Sequence, residues 1–341
     1  MRALFVMNPI SGTVKKSGIP KLIDQHLDHE RFDYTIRYTE HVGHATAIAQ
    51  EAVTEGYDVV VAVGGDGTVN EVGRGLIHSE TSLAIIPCGS GNGLARHLSI
   101  PINIKQSIKI LNNYQVHSLD YCTINGIPFF CTCGLGFDAF ISQKFATGKH
   151  RGPLKYMEEV LLEGLRYKPQ VYTIEDDSGE HRYKAYLVTC ANASQYGNNA
   201  FIAPRASMSD GLLDIIVMEP FGIMDAAQVS FDLMNKTLDK SSKVKTFRAS
   251  KVLIRRDKEG PVHYDGDPAI MGTEVVVEVK EKGIRVVCNE EAEDASKLSP
   301  NPVQNAVSEL LNDFSDMNSN LLRQGRNMVA FNKRLWRKLT R

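Results

Sequence analysis

The sequence predicts an α/β domain followed by an antiparallel β domain. Strand-like and helix-like stretches alternate over roughly the first 115 residues, which is the pattern of an open α/β layer structure. After about His117, short alternating runs separated by turn signals dominate, and these favour an antiparallel β-sandwich. We therefore place an α/β nucleotide-binding domain at residues 1–117, a β-sandwich substrate domain at 118–290 and a helical tail at 291–341.

The composition is typical of a globular protein and gives no sign of a nucleic-acid partner. Hydrophobic residues make up 43% of the chain and the net charge is -1, so no overall field would attract nucleic acid. No apolar stretch approaches the ~20 residues of a membrane-spanning helix, and the N-terminal apolar run is too short for a secretory signal. We expect a cytoplasmic chain with buried, reduced cysteines, which visits membranes only peripherally.

Two glycine-rich turns in the first domain each follow a strand-like run and open into a helix-like stretch. The first turn, Gly64–Thr68, follows Val59–Val63, and the second, Cys88–Gly93, follows Leu83–Pro87. Glycines let the backbone approach a ligand closely, and amide N–H groups at a helix start face an anion. The spacing matches neither the dinucleotide fingerprint nor the Walker P-loop. The turns therefore predict a phosphate site of another type, at the carboxyl edge of a parallel sheet.

Asp66 lies in the middle of the first turn. A carboxylate beside phosphates is electrostatically costly unless a cation or a transferable proton is present, so Asp66 suggests Mg²⁺ chemistry or contact with a substrate hydroxyl. The alternative interpretation is that this segment is a surface β-turn.

Several later segments have recognisable patterns. We expect a strand over His181–Asn192, separate strands over Thr273–Val279 and Ile284–Cys288, and helices over Pro153–Tyr167 and Phe221–Leu238. In the tail, apolar residues recur at coiled-coil spacing before a basic amphipathic end. That end either lies on an anionic membrane or docks on this protein or a second copy of it, as in a homodimer.

An ordered set of motifs links the chain to a known family. The motifs are Asn8-Pro9-Ile10-Ser11-Gly12, Thr39 with Gly43-His44-Ala45, Gly64–Val72, Pro87–Leu98, Asp120, Gly134-Leu135-Gly136-Phe137-Asp138, Gly152–Tyr156, Asp210–Asp214 and Tyr264-Asp265-Gly266-Asp267-Pro268. As a set they resemble the diacylglycerol kinase / sphingosine kinase catalytic family over roughly residues 1–290. The tail is not covered.

The resemblance implies an ATP- and Mg²⁺-dependent kinase that phosphorylates a lipid hydroxyl at a membrane surface. It also implies a nucleotide domain like those of phosphofructokinase and NAD kinase, a C-terminal β-sandwich, and ATP in the cleft between them. The residues that it assigns to the nucleotide are Asn8, Pro9, Ile10, Ser11, Gly12, Thr39, Gly64, Gly65, Asp66, Gly67, Thr68, Val69, Asn70, Gly89 and Ser90.

The resemblance places the general base at Asp267. The family pattern there is Asp-Gly-Glu, whereas this chain has Asp265-Gly266-Asp267, so the carboxylate is kept on a shorter arm. Because a general base must come within about 2.6–3.2 Å of the proton that it accepts, Asp265 or Asp66 are the alternatives. Without the resemblance, the same letters are also typical of a hairpin turn between strands.

A structural cation is a further implication of the resemblance. The matching positions are Ser207, Asp210 and Leu212, with the serine and the leucine acting through backbone carbonyls. Oxygen-only ligands suit Mg²⁺ or Ca²⁺. The alternative is a capped turn that holds no metal.

A second difference from the family pattern leaves the identity of the lipid acceptor open. Many bacterial relatives carry Gly-Thr-x-Asn-Asp where this chain has Gly89–Gly93. A sphingoid base or ceramide is therefore an alternative to diacylglycerol. A soluble-substrate kinase acting on NAD and a non-catalytic nucleotide-binding regulator are the other hypotheses.

Four aromatic residues either line a cavity for an acyl chain or belong to the hydrophobic core: Phe129, Phe130, Phe137 and Phe140. Arg96 and Lys149 are either cleft charges or solvated surface residues.

Overall fold

The computed structural model describes residues 1–9, 16–147 and 167–289. Ile10, Ser11 and Gly12 of the predicted nucleotide site lie outside the described residues. So do Lys149, nearly all of the predicted helix over Pro153–Tyr167, and the tail.

Four parallel strands form the centre of the N-terminal layer, in the order β2-β1-β3-β4. These strands are β1 (Arg2–Met7), β2 (Asp33–Tyr38), β3 (Val59–Gly64) and β4 (Ser82–Pro87). Every residue of β3 and β4 is buried, as expected for strands that are covered on both faces. The helices of this part are α1 (Ile19–His26), α2 (His44–Thr54), α3 (Asp66–Leu76), α4 (Gly93–His97) and α5 (Ile104–Asn113).

The first sheet continues without a break into the second half of the chain. Its further strands are β5 (Val116–Ile124), β6 (Ile127–Phe129), β8 (Gln170–Asp176), β9 (Gly179–Ala185), β13 (Lys251–Arg256) and β16 (Glu274–Val287). Strand β16 pairs in parallel with β4 near its end and antiparallel with β13 and β5. One strand therefore belongs to the hydrogen-bonded frame of both halves.

The second sheet is entirely antiparallel and packs on the first to form a β-sandwich. Its strands, in chain order, are β7 (Thr132–Gly136), β10 (Leu187–Ala191), β11 (Leu213–Met218), β12 (Val244–Ala249), β14 (Gly260–Tyr264) and β15 (Asp267–Met271). Among the described residues of this part, the α-helices are α6 (Phe137–Thr147) and α7 (Ile223–Met234). The predicted α/β layer and antiparallel β-sandwich are both confirmed.

Two strand predictions were wrong in detail. The run His181–Asn192 is two strands, because the chain passes at Tyr186 from β9 in the first sheet to β10 in the second. The runs Thr273–Val279 and Ile284–Cys288 are one strand, β16, because the turn signal between them is absorbed as a bulge after Lys280. A bulge bends a strand and interrupts its alternating pattern without ending it.

The cysteines are free and buried, as expected. In the described part of the chain, no helix combines the length and the apolar character that crossing a membrane requires.

Candidate functional site

The two glycine turns lie against each other at the carboxyl edge of the parallel strands. A Cβ built on Gly89 would be 2.6 Å from the Cα of Gly65, and one on Gly65 would be 3.2 Å from the Cα of Gly89. Because real Cβ atoms do not come so close to a backbone, the two turns can approach in this way only as glycines. The structure thus brings together the two motifs that the sequence placed at one sheet edge.

Asp66 joins the two turns through its carboxylate. Its Oδ2 accepts the N–H of Asn92 at 2.8 Å, and its Oδ1 accepts the N–H of Gly93 at 2.6 Å. Asp66 therefore caps the start of α4 from the neighbouring turn, in the manner of an N-cap side chain. Each oxygen keeps a further lone pair for another partner.

The first turn is open at the start of α3. The N-cap residue of this helix, Gly65, has no side chain that could cap it, and the leading N–H groups, as in any helix, have no intrahelical acceptors. Two buried polar atoms of the same segment, Thr68 Oγ1 and Asn70 Nδ2, also lack a hydrogen-bond partner among the described residues. A helix start with unused donors is a site that suits a phosphate group.

The second turn, in contrast, is closed upon itself. The side chain of Asn92 accepts the N–H of Gly89 at 2.9 Å and donates to the carbonyl of Gly89 at 2.7 Å. Because Asp66 of the first turn accepts the N–H groups of Asn92 and Gly93, three amides of the second turn already have acceptors within the protein. The exposed Ser90 keeps its hydroxyl at the outer end of this turn.

The second turn is also held by the β domain. Arg96 donates from Nε to the carbonyl of Gly91 at 3.0 Å and from Nη1 to Oδ1 of Asn199 at 3.2 Å. Burial lowers the pKa of Arg96, while Asp66 opposes that shift. Arg96 thus braces the turn rather than facing solvent.

The ends of β1 and β2 form one wall of the site. The N–H of Thr39, which is buried, donates to the carbonyl of Met7 at 3.0 Å. Next to it the ammonium group of Lys16 donates to the carbonyl of Asn8. Burial lowers the pKa of Lys16. Sequence reasoning missed this lysine because it lies beyond the recognisable motif.

Asp265 is a buried structural acid. Its carboxylate accepts the N–H groups of Phe130 at 2.7 Å, Cys131 at 2.7 Å and Thr132 at 3.1 Å. Burial raises the pKa of Asp265 to about 6, and the three amide donors oppose that shift. Asp265 and Gly266, with φ of 50° and 86°, form the two-residue hairpin turn between β14 and β15. The structure therefore has, at this segment, the hairpin turn that was the alternative interpretation of the sequence.

Asp267 follows that hairpin and faces α3. Its Oδ2 lies 3.6 Å from Nη2 of Arg74, and its side chain is 53% exposed. The Arg74 guanidinium in turn lies over the ring of Tyr264, 5.4 Å from the ring centroid. Partial burial raises the pKa of Asp267, and the charge of Arg74 opposes that shift. Sequence reasoning missed Arg74, although its position on α3, two turns after Asp66, was a usable signal.

Two of the predicted acids influence one buried thiol. Burial raises the pKa of Cys131, and the carboxylates of Asp265 and Asp66 raise it further. Of these two acids, Asp265 contacts Cys131 directly, by accepting its backbone N–H. Of the three predicted acids, Asp66 and Asp265 are engaged by backbone amides, and Asp267 is the accessible one.

One of the predicted cation positions, Asp210, is paired with an arginine. Asp210 accepts from Nη1 of Arg248 at 3.3 Å, and its other oxygen accepts the N–H of Leu212 at 3.1 Å. Ser207 bonds to Ser209 in the same loop. Across the described ranges, no group of three or more His, Cys, Asp or Glu side chains is arranged to hold a metal ion. Asp210 is thus already paired with a guanidinium, and a cation bound by Asp210 and the carbonyls of Ser207 and Leu212 stays a prediction.

The four candidate aromatic residues divide into two pairs. Phe129 and Phe130 are completely buried in the core. Phe137 and Phe140 are partly exposed and belong to an aromatic cluster on the outer face of the second sheet, with Tyr167 and Tyr186.

Comparisons with known proteins give a consistent result. The profile of the diacylglycerol kinase catalytic domain matches residues 2–124. The profile of the YegS C-terminal NAD kinase beta sandwich-like domain matches residues 132–288. The chain is 27% identical over 278 residues to a diacylglycerol kinase of Bacillus subtilis (strain 168), covering 78% of this chain and 89% of the relative.

A second relative and a solved structure extend the comparison. The chain is 26% identical over 275 residues to a diacylglycerol kinase of Staphylococcus saprophyticus, covering 78% of this chain and 88% of the relative. The crystal structure of a diacylglycerol kinase from Bacillus anthracis has a TM-score of 0.67 and 24% sequence identity, covering 85% of this chain and 98% of that one. This structural likeness shows that the fold is shared.

Proposed function

Because the chain belongs to the diacylglycerol kinase catalytic family, we propose that it transfers the γ-phosphoryl group of ATP to the hydroxyl of a lipid such as diacylglycerol. The observation that carries this proposal is helix α3, which begins at the first glycine turn without a side-chain cap from Gly65 and whose Arg74, in the last turn, lies 3.6 Å from the accessible carboxylate of Asp267. Phosphoryl transfer needs little covalent chemistry from the protein, so positioning and electrostatics are what the site must supply.

The polyphosphate would lie at the start of α3. The leading amides of this helix carry partial positive charge, and the orphaned hydroxyl of Thr68 and amide of Asn70 add donors beside them. The closed second turn contributes shape and the hydroxyl of Ser90 rather than a row of free amides. Such preorganised donors need no rearrangement as charge develops on the transferred group.

Asp66 is the residue that would hold Mg²⁺. Mg²⁺ usually keeps several waters and binds through one or two carboxylates together with substrate phosphates. The Asp66 carboxylate retains a lone pair on each oxygen after accepting one amide on each, so this donor set fits the ion. When bound, Mg²⁺ would offset the charge of the phosphate oxygens.

Asp267 would accept the proton of the lipid hydroxyl. It is the accessible carboxylate of the hairpin, whereas both oxygens of Asp265 are engaged by backbone amides. The guanidinium of Arg74 opposes the rise in pKa that burial causes at Asp267, and so favours the ionised form that a general base needs.

The membrane is where the acceptor lipid is found, so the protein would act there peripherally. We propose that the basic end of the tail contributes to membrane binding, with a homodimer as the other use of its apolar seam. Liposome sedimentation of the full chain against a form ending at Pro300 separates these roles. Equal binding of both forms would contradict the membrane role of the tail.

The test of the proposed function is transfer of labelled phosphate from ATP to an acceptor panel. Diacylglycerol, sphingosine and ceramide are presented in detergent micelles with Mg²⁺, and NAD is the soluble acceptor. We expect a phosphorylated lipid, and we expect Asp267→Asn to lower kcat by about 10²–10⁴-fold. The matched control is Asp177→Asn, in an exposed turn, which should leave kcat unchanged. Absence of any lipid product, or equal rates for wild type and Asp267→Asn, would contradict the proposal.

A further inference from the structure

The loop that carries the predicted cation positions is bound by one guanidinium. Arg248 on β12 lies directly opposite Asp214 on β11 in the strand register. Its Nε lies 3.2 Å from Oδ1 of Asp214, its Nη1 lies 3.3 Å from Oδ2 of Asp210, and its Nη2 donates to the carbonyl of Arg205 at 2.9 Å. Two carboxylates and one backbone carbonyl thus converge on a single side chain.

This oxygen set has the chemistry of a site for a hard cation. Carboxylate and backbone carbonyl oxygens are the usual ligands of Ca²⁺ and Mg²⁺. A guanidinium is a planar cation with five N–H donors and remains charged at any physiological pH. It can therefore satisfy several oxygens at once, which the three contacts of Arg248 show directly.

The geometry points to Arg248 as the built-in cation of the oxygens of Asp210, Asp214 and the Arg205 carbonyl, of which Asp210 is also a predicted cation position. In this way Arg248 ties the 205–214 segment to strand β12 without a metal. This inference concerns the β domain alone and does not depend on the proposed activity. A divalent ion at Asp210 would meet the fixed positive charge of Arg248, so the chain has no use for one there while the arginine is present.

The surroundings show why a positive charge is needed at this place. One oxygen of Asp214, Oδ2, is buried without a hydrogen-bond partner among the described residues. The other oxygen of the same carboxylate, Oδ1, is the one that lies 3.2 Å from Nε of Arg248. The loop itself is anchored from the other side, because Asp120 accepts the N–H of Gly211 at 2.9 Å and of Lys282 at 2.7 Å.

The test measures the melting temperature of the full chain in EDTA, in Mg²⁺ and in Ca²⁺, all without nucleotide. Wild type should melt at the same temperature in all three. Arg248→Met should melt about 3–6 °C lower in EDTA and recover at least about half of that loss in Ca²⁺ or Mg²⁺, because the vacated oxygens can then bind the ion. Adding Asp210→Asn to Arg248→Met should abolish the recovery.

Two further variants serve as controls. Arg248→Lys keeps a positive charge and should show no response to cations. Arg255→Met removes a similarly exposed guanidinium that contacts Glu175, Glu180 and Glu274 on the first sheet, and it should not respond either. An equal response of Arg255→Met would attribute the recovery to general charge relief and overturn the inference.

Two other outcomes would also overturn it. One is a rise in the melting temperature of wild type with Ca²⁺ or Mg²⁺ that Asp210→Asn removes, because the ion would then displace Arg248. The other is the absence of any cation response in Arg248→Met, because these oxygens would then not form a cation site.

Discussion

The two glycine turns have similar sequences and similar positions, but they are not equivalent. The first, at the start of α3, has an uncapped helix terminus and two buried polar atoms without partners among the described residues. The second has three of its amides bound by Asn92 and Asp66. The first turn therefore has donors left for a ligand, while the second is a support that positions the first.

The largest expected effect comes from breaking the contact between the turns. In Gly89→Ala the new Cβ would lie 2.6 Å from the Cα of Gly65 and 2.9 Å from Oδ1 of Asn92. Both turns must then move apart, so we expect a loss of about 1–3 kcal/mol in the free energy of unfolding. ATP binding should fall to undetectable levels. Urea denaturation and calorimetric titration with ATP measure the two effects. Retention of wild-type ATP affinity would show that the approach of the turns is irrelevant to binding.

Gly67→Ala tests the open side of the first turn. A Cβ at Gly67 has no atom of the described structure within 4 Å, and alanine is the better helix former by roughly 0.5–1 kcal/mol. The variant should therefore be as stable as wild type or slightly more stable. Because the methyl group would occupy space that we assign to phosphate, the Kd for ATP should rise about 10–100-fold. Unchanged ATP affinity in a folded Gly67→Ala protein would place the phosphates elsewhere.

Thr68→Val removes the orphaned hydroxyl of the first turn and keeps the shape of the side chain. The Kd for ATP should rise by about 3–10-fold, since one hydrogen bond contributes about 1 kcal/mol. Stability should not fall, because that hydroxyl has no partner among the described residues in the absence of a ligand. A fall in stability with unchanged ATP binding would assign Thr68 a structural role instead.

The pH dependence of kcat tests the role of Asp267, the acid that lies beside Arg74. A general base works only when ionised, so the rate should fall as the pH drops through the pKa of Asp267. Arg74 opposes the increase in that pKa. In Arg74→Met the pKa should therefore rise, and the acid limb of the kcat profile should move to higher pH. A limb that stays in place, or that moves to lower pH, would separate Arg74 from the base.

Ser90→Ala should have the smallest effect of the series. The hydroxyl is exposed at the outer end of the closed turn, so we expect a change of less than about 3-fold in the Kd for ATP and no change in stability. A loss larger than that of Thr68→Val would reverse the ranking of the two turns.

Much of the fold was predictable because its signals are local. Continuous apolar strands such as Val59–Val63 and the change of rhythm after His117 predict the α/β layer and the sandwich. The corner at Tyr186 and the bulge in β16 were missed, because both are decided by pairing with distant strands. The sequence also does not reveal that β16 joins both halves of the first sheet, because that pairing involves residues far apart in the chain.

The motifs that form the site were predictable from the sequence, but the role of each acid within it was not. Asp66, Asp265 and Asp267 are equivalent letters in the sequence, and only the partners of each carboxylate distinguish them. Those partners come from elsewhere in the chain: Asn92 for Asp66, Phe130 for Asp265 and Arg74 for Asp267. Arg248 was likewise missed, because its link to Asp210 exists only through the register of β11 and β12.

The most direct test of the account is an NMR titration of the glycine-labelled protein with ATP, which follows the amide signals of both turns in one experiment. We predict a large change in the amide chemical shift of Gly67 in the first turn. It predicts small shifts for Gly89 and Gly93, whose amides are already bound to Asn92 and Asp66. Large shifts at Gly89 and Gly93 with none at Gly67 would contradict the account, because the second turn would then be the one that binds phosphate.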